Sequence, residues 1–154
     1  MKLLFILDPL KSLKTYKDTS VAIMRAAAAR GHDLFVCEQH DVFLRNDQVK
    51  FIARKLELLD DKTWYKLNFA DEIIPTDVDS ILMRKDPPFD NEYLYSTYLL
   101  ELAQNQGARV FNNPKAVRSW NEKLSVTKFP QFTPEFLVTS NNDLIREFFK
   151  KYQD

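Results

Sequence analysis

A turn with three charged residues lies where a short apolar run meets two prolines. The run Ser80–Met83 is typical of a buried strand, and Arg84, Lys85 and Asp86 follow it, before Pro87-Pro88. Because proline has a fixed φ and no backbone N–H, neither a strand nor a helix can pass through the two prolines. A guanidinium can hold a carboxylate through two parallel hydrogen bonds, and open α/β sheets bind ligands beside the carboxyl ends of their strands. This turn, the charged corner (residues 84–86), is therefore a candidate carboxylate site.

The charged corner also has a simpler interpretation. Its charges could serve solubility alone, with Arg84 in a salt bridge to Asp86 or Asp90. Exposed ion pairs of this kind are common and stabilise a fold by only ~0–1 kcal/mol. From the spacing alone, the two interpretations are about equally supported.

A second group of candidate residues stands at the predicted start of a helix. It consists of Lys17, Asp18, Thr19 and Ser20. Backbone N–H groups at a helix start favour an anion, so these residues could bind a negatively charged ligand. Capping of the helix explains Asp18 and Thr19 equally well.

The elements that must position these residues are those of an α/β protein. Apolar runs predict sheet strands at residues 2–7, 34–37, 79–83 and 109–111, and the periodicity predicts helices up to Arg30 and over 90–106. The strand–helix–strand opening implies parallel pairing. Residues 42–44 and 49–58 predict an antiparallel flap, while residues 62–74 fit either an edge strand or a short helix. The prediction is a mainly parallel sheet with helices on both faces.

Two further expectations concern the later part of the chain. The helix over 90–106, capped by Asp90, is expected to bury one face formed by Tyr95, Tyr98, Leu99 and Leu102. Residues 135–139 are predicted to form a strand and residues 141–152 a helix capped by Asn141 or Asn142. This tail suggests the beginning of a second domain.

Composition excludes several classes of protein. The 154 residues carry 22 basic and 22 acidic side chains, which disfavours a nucleic-acid binder. No apolar run is long enough to cross a membrane, and the lone cysteine predicts neither a disulfide nor a cysteine metal cluster. Only two glycines occur, each between a predicted helix and a strand, so none remains for a phosphate-binding loop. We expect a cytoplasmic protein with no metal site and no membrane partner.

The sequence also carries a resemblance to a known family. The run ILMRKDPPFD, residues 81–90, resembles the signature of the bacterial glutathione synthetases, in their amino-terminal domain. Supporting matches, in order along the chain, are Asp8-Pro9, Lys17–Ser20, Asn112 with Pro114, and Asn121–Leu124. The resemblance implies a Rossmann-like pre-ATP-grasp domain over residues 1–120 and the start of an ATP-grasp domain over residues 121–154.

The resemblance implies a reaction and its participants. Similar enzymes join γ-glutamylcysteine to glycine through an acyl phosphate, with ATP and Mg²⁺. Arg84 would then contact γ-glutamylcysteine, Asp86 would orient the charged corner, and Lys17–Ser20 would lie on the substrate side. Lys123 would touch the ATP phosphates, although a lysine near a helix start is usually only solvated. No catalytic side chain is assigned in this chain.

The glycine-rich flap and the acidic magnesium ligands of similar enzymes have no counterpart in the sequence. We therefore expect neither activity nor tight cofactor binding from the chain alone, and we expect the ATP-grasp segment to be supplied in cis or in trans. The competing interpretation is a non-catalytic α/β module that binds a small anion or a partner subunit. Assembly as a homo-oligomer is left open.

Overall fold

The computed structural model describes residues 1–60, 63–121 and 123–152. The chain divides into two compact units, Met1–Arg118 and Ser119–Asp154. The strands are β1 (Lys2–Leu7), β2 (Asp33–Glu38), β3 (Val42–Arg45), β4 (Gln48–Leu58), β5 (Tyr65–Ile73), β6 (Ser80–Met83) and β7 (Val110–Phe111). The helices are α1 (Thr19–Ala28), α2 (Asn91–Asn105), α3 (Pro114–Ser119) and α4 (Asn142–Lys150).

The seven strands form one sheet, in the order β3-β4-β2-β1-β6-β7, with β5 paired to β4. Strands β2, β1, β6 and β7 are parallel, while β3, β4 and β5 pair in antiparallel fashion. The Rossmann-like α/β class and the antiparallel flap are thus confirmed. Residues 62–74, which fitted either an edge strand or a short helix, contain the edge strand β5. Residues 61 and 62 lie outside the described residues.

Helices cover both faces of the sheet, and strand β1 forms the centre of both cores. On one face, Phe5 and Leu7 pack with Val21 and Met24 of α1. On the other face, the alternate residues of β1, Leu4 and Ile6, belong to a cluster with Leu100 and Ala103 of α2. Successive side chains of a strand point to opposite faces, so a strand covered on both sides is continuously apolar. This explains why residues 2–7 lack alternation.

The predicted buried face of α2 is wrong for three of its four residues. Tyr95 is 68% exposed, and Tyr98 and Leu102 are also exposed. Leu99 is partly buried against the core cluster, as predicted. The buried residues of the helix are Ser96, Thr97, Leu100 and Ala103. Ser96 and Thr97 can be buried because each hydroxyl donates to a carbonyl of its own helix, Glu92 O at 2.9 Å and Leu94 O at 2.6 Å. The pattern of apolar residue types therefore did not mark the inner face.

Both glycines have the structural role that was expected of them. Gly31 follows α1 with φ 73°, and Gly107 follows α2 with φ 99°. This left-handed conformation costs glycine little and other residues more. The two helices end at Ala28 and Asn105, within two residues of the predicted ends.

The second unit differs from its prediction in one element. Helix α4 is capped by Asn141, whose side chain accepts from the Asp143 N–H at 2.9 Å. Residues 135–139 form no strand, because no other described segment of this unit pairs with them. The Glu135 carboxylate instead accepts hydrogen bonds from Lys151 and Tyr152. None of the described helices combines the length and apolar character that a bilayer crossing requires.

Candidate functional site

The charged corner is held at the carboxyl edge of the sheet by Asp8. Strands β1 and β6 are parallel neighbours, with Ile6 opposite Met83, so Asp8 and the charged corner leave the sheet side by side. The Asp8 carboxylate accepts the Asp86 backbone N–H through Oδ2 at 3.0 Å. Its Oδ1 lies 2.9 Å from Lys85 Nζ in a partly buried ion pair. Asp8 therefore restrains the corner and neutralises one of its two cations.

The start of α1 lies at the same edge. Asp18 is the N-cap, and its Oδ1 accepts from the backbone N–H groups of Ser20 at 2.7 Å and Val21 at 3.2 Å. These bonds satisfy two donors that the first turn of a helix leaves without intrahelical partners. Capping by Asp18, rather than by Thr19, thus sets the start of the helix.

Arg84 connects the charged corner to α1. Its Nε donates to Ser20 Oγ at 3.1 Å, although 64 residues separate the two in sequence. The backbone N–H of Arg84 donates to Ile6 O at 2.8 Å. Among the described residues, Arg84 forms no salt bridge with Asp86 or Asp90, and the Asp90 carboxylate instead caps α2 through the Tyr93 N–H. The salt bridge of the simpler interpretation is therefore not formed.

A cleft of about 440 Å³ brings together all the residues predicted for the substrate side, namely Lys17, Asp18, Thr19, Ser20, Arg84 and Asp86. It also contains residues that the sequence analysis left unassigned: Asp8, Ser12, Leu13 and Lys14. Asp8 could have been found from its place after β1, since the ends of adjacent parallel strands meet at one edge.

The cleft has an excess of positive charge. Within the described part of the chain, the side chains of Lys14, Lys17 and Asp86 form neither a hydrogen bond nor an ion pair, while Asp8 and Asp18 are occupied as described above. Together with Arg84, Lys14 and Lys17 are three cations against the two carboxylates that no cation neutralises, Asp18 and Asp86. Of these two, only Asp86 has no hydrogen-bond donor among the described residues. Such an arrangement favours an anionic ligand that also carries one positive group.

Tyr93 of α2 lies near the charged corner but adds no charge. Burial raises the pKa of its phenol, and the nearby cations Lys85 and Arg84 only partly oppose that effect. The phenol is therefore neutral at physiological pH. Its ring lies 5.1 Å from that of Phe89.

Lys123 belongs to the second unit. Its backbone N–H donates to the Asn121 side chain at 3.0 Å, as the Leu124 N–H does at 3.3 Å. Asn121 thus caps the turn. Glu122 of this motif lies outside the described residues. The contact between Lys123 and ATP stays a prediction.

The described residues contain no group of three or more His, Cys, Asp or Glu side chains that could hold a metal ion. Cys37 is buried in the sheet, and burial strongly raises the pKa of its thiol. It is therefore not a reactive thiolate.

Replacement of Asp18 by alanine is expected to lower the free energy of unfolding by about 1 kcal/mol, because two first-turn N–H groups lose their acceptor. Urea denaturation of the chain measures this change. Thr19→Ala is the matched control, since the exposed Thr19 side chain makes no capping bond among the described residues. Equal stability of the Asp18 variant and the original chain would contradict the capping role.

Comparison with known proteins identifies the family. Residues 1–118 match the model of the amino-terminal domain of prokaryotic glutathione synthetase. The chain is 53% identical to the glutathione synthetase of Nitrosomonas europaea over 158 residues, covering 100% of this chain and 49% of that protein. It is 45% identical to that of Ralstonia nicotianae, covering 48% of that protein, and 43% identical to that of Neisseria meningitidis, covering 50%. The chain thus spans about half the length of these curated relatives. It belongs to the prokaryotic glutathione synthetase family.

Proposed function

We propose that this chain is the amino-terminal, substrate-side part of a glutathione synthetase. The whole enzyme would use ATP to join γ-glutamylcysteine to glycine. The observation that carries the proposal is the cleft at the carboxyl edge of β1 and β6, where Arg84 lies beside the start of α1. It lies within the residues that match the family's amino-terminal domain.

The charge of the cleft suits γ-glutamylcysteine. This dipeptide carries two carboxylates and one ammonium group at neutral pH. We assign one carboxylate to Arg84, because a guanidinium can bind it in a bidentate manner. Lys17 and Thr19, at the start of α1, would attract the second carboxylate. Asp86 would accept the ammonium group in addition to its predicted role in orienting the corner.

The proposed reaction has two steps. The cysteinyl carboxylate attacks the γ-phosphorus of ATP, ADP leaves, and an acyl phosphate forms. The glycine amine then attacks the acyl carbon, inorganic phosphate leaves, and the new amide loses the amine proton. The residues of this chain would bind and orient the dipeptide, so that its reacting carboxylate is held in a productive position.

The residues of this chain do not fit a complete site for ATP and Mg²⁺. Lys123 is the one proposed phosphate contact, and the described residues provide no carboxylate cluster for the metal. We therefore assign no step of the reaction to a metal held by this chain. An ATP-grasp segment, in cis or in trans, would supply these groups.

The function can be tested in a chimera, defined as the Nitrosomonas europaea synthetase with its matching part replaced by this chain. We expect the chimera to form glutathione from γ-glutamylcysteine, glycine and ATP. A folded chimera that binds ATP but forms no glutathione would contradict the proposal. If it bound γ-glutamylcysteine without turnover, the alternative of a non-catalytic module that binds a small anion would be favoured.

Replacement of Lys123 by alanine in the chimera is expected to raise KM for ATP about tenfold or more. The lost charge-assisted contact would be worth roughly 1.5–3 kcal/mol. Initial rates at varied ATP concentration measure the change. Lys150→Ala is the control, because Lys150 is also an exposed lysine of the second unit. Unchanged KM and turnover for the Lys123 variant would remove this residue from the ATP site.

A further inference from the structure

The side chain of Ser20 is buried, although it belongs to a helix start that borders a cleft. It is 4% exposed, and its hydroxyl accepts the Arg84 Nε–H at 3.1 Å. Two other buried serines behave differently, because the hydroxyl of Ser80 donates to the adjacent Asp79 carbonyl and that of Ser96 to the Glu92 carbonyl of the same helix. The hydroxyl of Ser20 instead joins α1 to the end of β6.

This bond determines which part of the Arg84 guanidinium is available to a ligand. A guanidinium can hold a carboxylate side-on, through Nε and one terminal nitrogen, or end-on, through both terminal nitrogens. Ser20 occupies Nε, and the structure shows no other side-chain hydrogen bond or ion pair of Arg84 with a described residue. The two terminal nitrogens therefore have their donors available for an end-on pair.

The backbone on both sides of this bond is also restrained. The Arg84 N–H is bonded to Ile6 of β1, and Asp8 holds the next two residues of the charged corner. Ser20 itself is fixed by its N–H bond to Asp18. Because the groups around the guanidinium are already ordered, little conformational entropy remains to be lost when a ligand binds.

We propose that Ser20 is a positioning residue, whose hydroxyl fixes the Arg84 guanidinium so that its two terminal nitrogens grip a carboxylate of γ-glutamylcysteine end-on. This inference rests on the proposed function, and it changes the role first predicted for Ser20. Ser20 acts through Arg84 and does not itself touch the dipeptide.

The first test is kinetic. In the chimera, Ser20→Ala is expected to raise KM for γ-glutamylcysteine about tenfold, as when a hydrogen bond to a charged group is lost. KM for ATP should stay unchanged. Ser96→Ala is the matched control, because Ser96 is also helical and 5% exposed, but within the described part of the chain its hydroxyl bonds only to its own helix. If both variants change KM equally, or neither does, the positioning role is wrong.

The second test separates this inference from the proposed function by a double-mutant cycle. Lysine at position 84 has no Nε for Ser20 to hold, so Ser20→Ala should have no further effect on KM in the Arg84→Lys chimera. If Arg84→Lys alone leaves KM unchanged, the proposed substrate anchor fails. If Arg84→Lys raises KM but the Ser20 effect persists undiminished beside it, only the positioning role fails.

A spectroscopic test uses the chain itself and does not depend on activity. In ¹⁵N NMR spectra, the Arg84 Nε–H should exchange slowly with solvent in the original chain and in Ser96→Ala. In Ser20→Ala the exchange should become at least about tenfold faster, because the acceptor has been removed. Equal exchange rates in all three proteins would show that Ser20 does not hold the guanidinium.

Discussion

Replacement of Arg84 by lysine should raise KM for γ-glutamylcysteine in the chimera about tenfold to a hundredfold. Lysine keeps the positive charge, but it lacks the planar fork that binds a carboxylate through two hydrogen bonds. A lost hydrogen bond to a charged group costs roughly 1.5–3 kcal/mol, which corresponds to this range. KM for ATP should stay the same, since Arg84 is assigned to the dipeptide.

The same substitution should have little effect on the fold. Arg84 is only half-buried and forms no ion pair with another described residue. Arg30→Lys is a suitable control, because the Arg30 side chain is exposed and, among the described residues, bonds only to the Ala26 carbonyl at 2.8 Å. A large fall in Tm of the Arg84 variant, with normal kinetics in the folded fraction, would reverse the assignment. Arg84 would then stabilise the fold and would not anchor substrate.

The position of the charged corner could be predicted from local chemistry. Two prolines end any regular element, and the apolar run before them has the length of a buried strand. The glycines after α1 and α2 marked helix ends for an equally local reason, since their positive φ is costly for other residues. The resemblance to the family placed Lys17–Ser20 and the charged corner together on the substrate side. The structure brings both groups into one cleft.

The contacts inside the cleft could not be predicted in this way. The bond between Ser20 and Arg84 and the bonds from Asp8 to Lys85 and Asp86 join residues that are far apart in sequence. They depend on the order of the strands, which places β1 beside β6. A pattern along the chain predicts that a strand exists, but it does not determine the side chain that will lie next to its end.

The error in α2 has a related cause. Apolar spacing suggested a face with Tyr95 and Tyr98, but the helix buries Ser96 and Thr97. The hydroxyl groups of these two residues bond within the helix, so their burial costs little. Tyr98 instead lies under the guanidinium of Arg118, at 4.5 Å from its ring centroid. Residue type is thus a weaker guide to burial where local hydrogen bonds can satisfy a small polar side chain.

The second large effect concerns the chain by itself. Incubated with ATP, Mg²⁺, γ-glutamylcysteine and glycine, the purified 154-residue chain is expected to form no glutathione above background. The physical reason is that its described residues offer no carboxylate cluster for magnesium, and its two glycines are both used to end helices. The chimera under the same conditions should be active.

Purification from a host that lacks its own synthetase removes the main source of false activity. The Arg84→Lys chimera is assayed in parallel as a control. At low dipeptide concentration its raised KM should slow glutathione formation, which shows that the measured activity depends on the cleft. Glutathione formed by the chain alone, at a rate comparable to that of the chimera, would contradict the proposal. It would show that the reaction does not require an ATP-grasp segment to supply the groups that bind ATP and Mg²⁺.

The most direct measurement for the central claim is a crystal structure of the chimera with γ-glutamylcysteine and a non-hydrolysable ATP analogue. We expect one carboxylate of the dipeptide to lie about 2.7–2.9 Å from both terminal nitrogens of Arg84, as in charge-assisted pairs. Ser20 Oγ should still accept the Nε–H of the same residue. A dipeptide bound away from the cleft, with Arg84 paired to Asp86 or Asp90, would contradict the account.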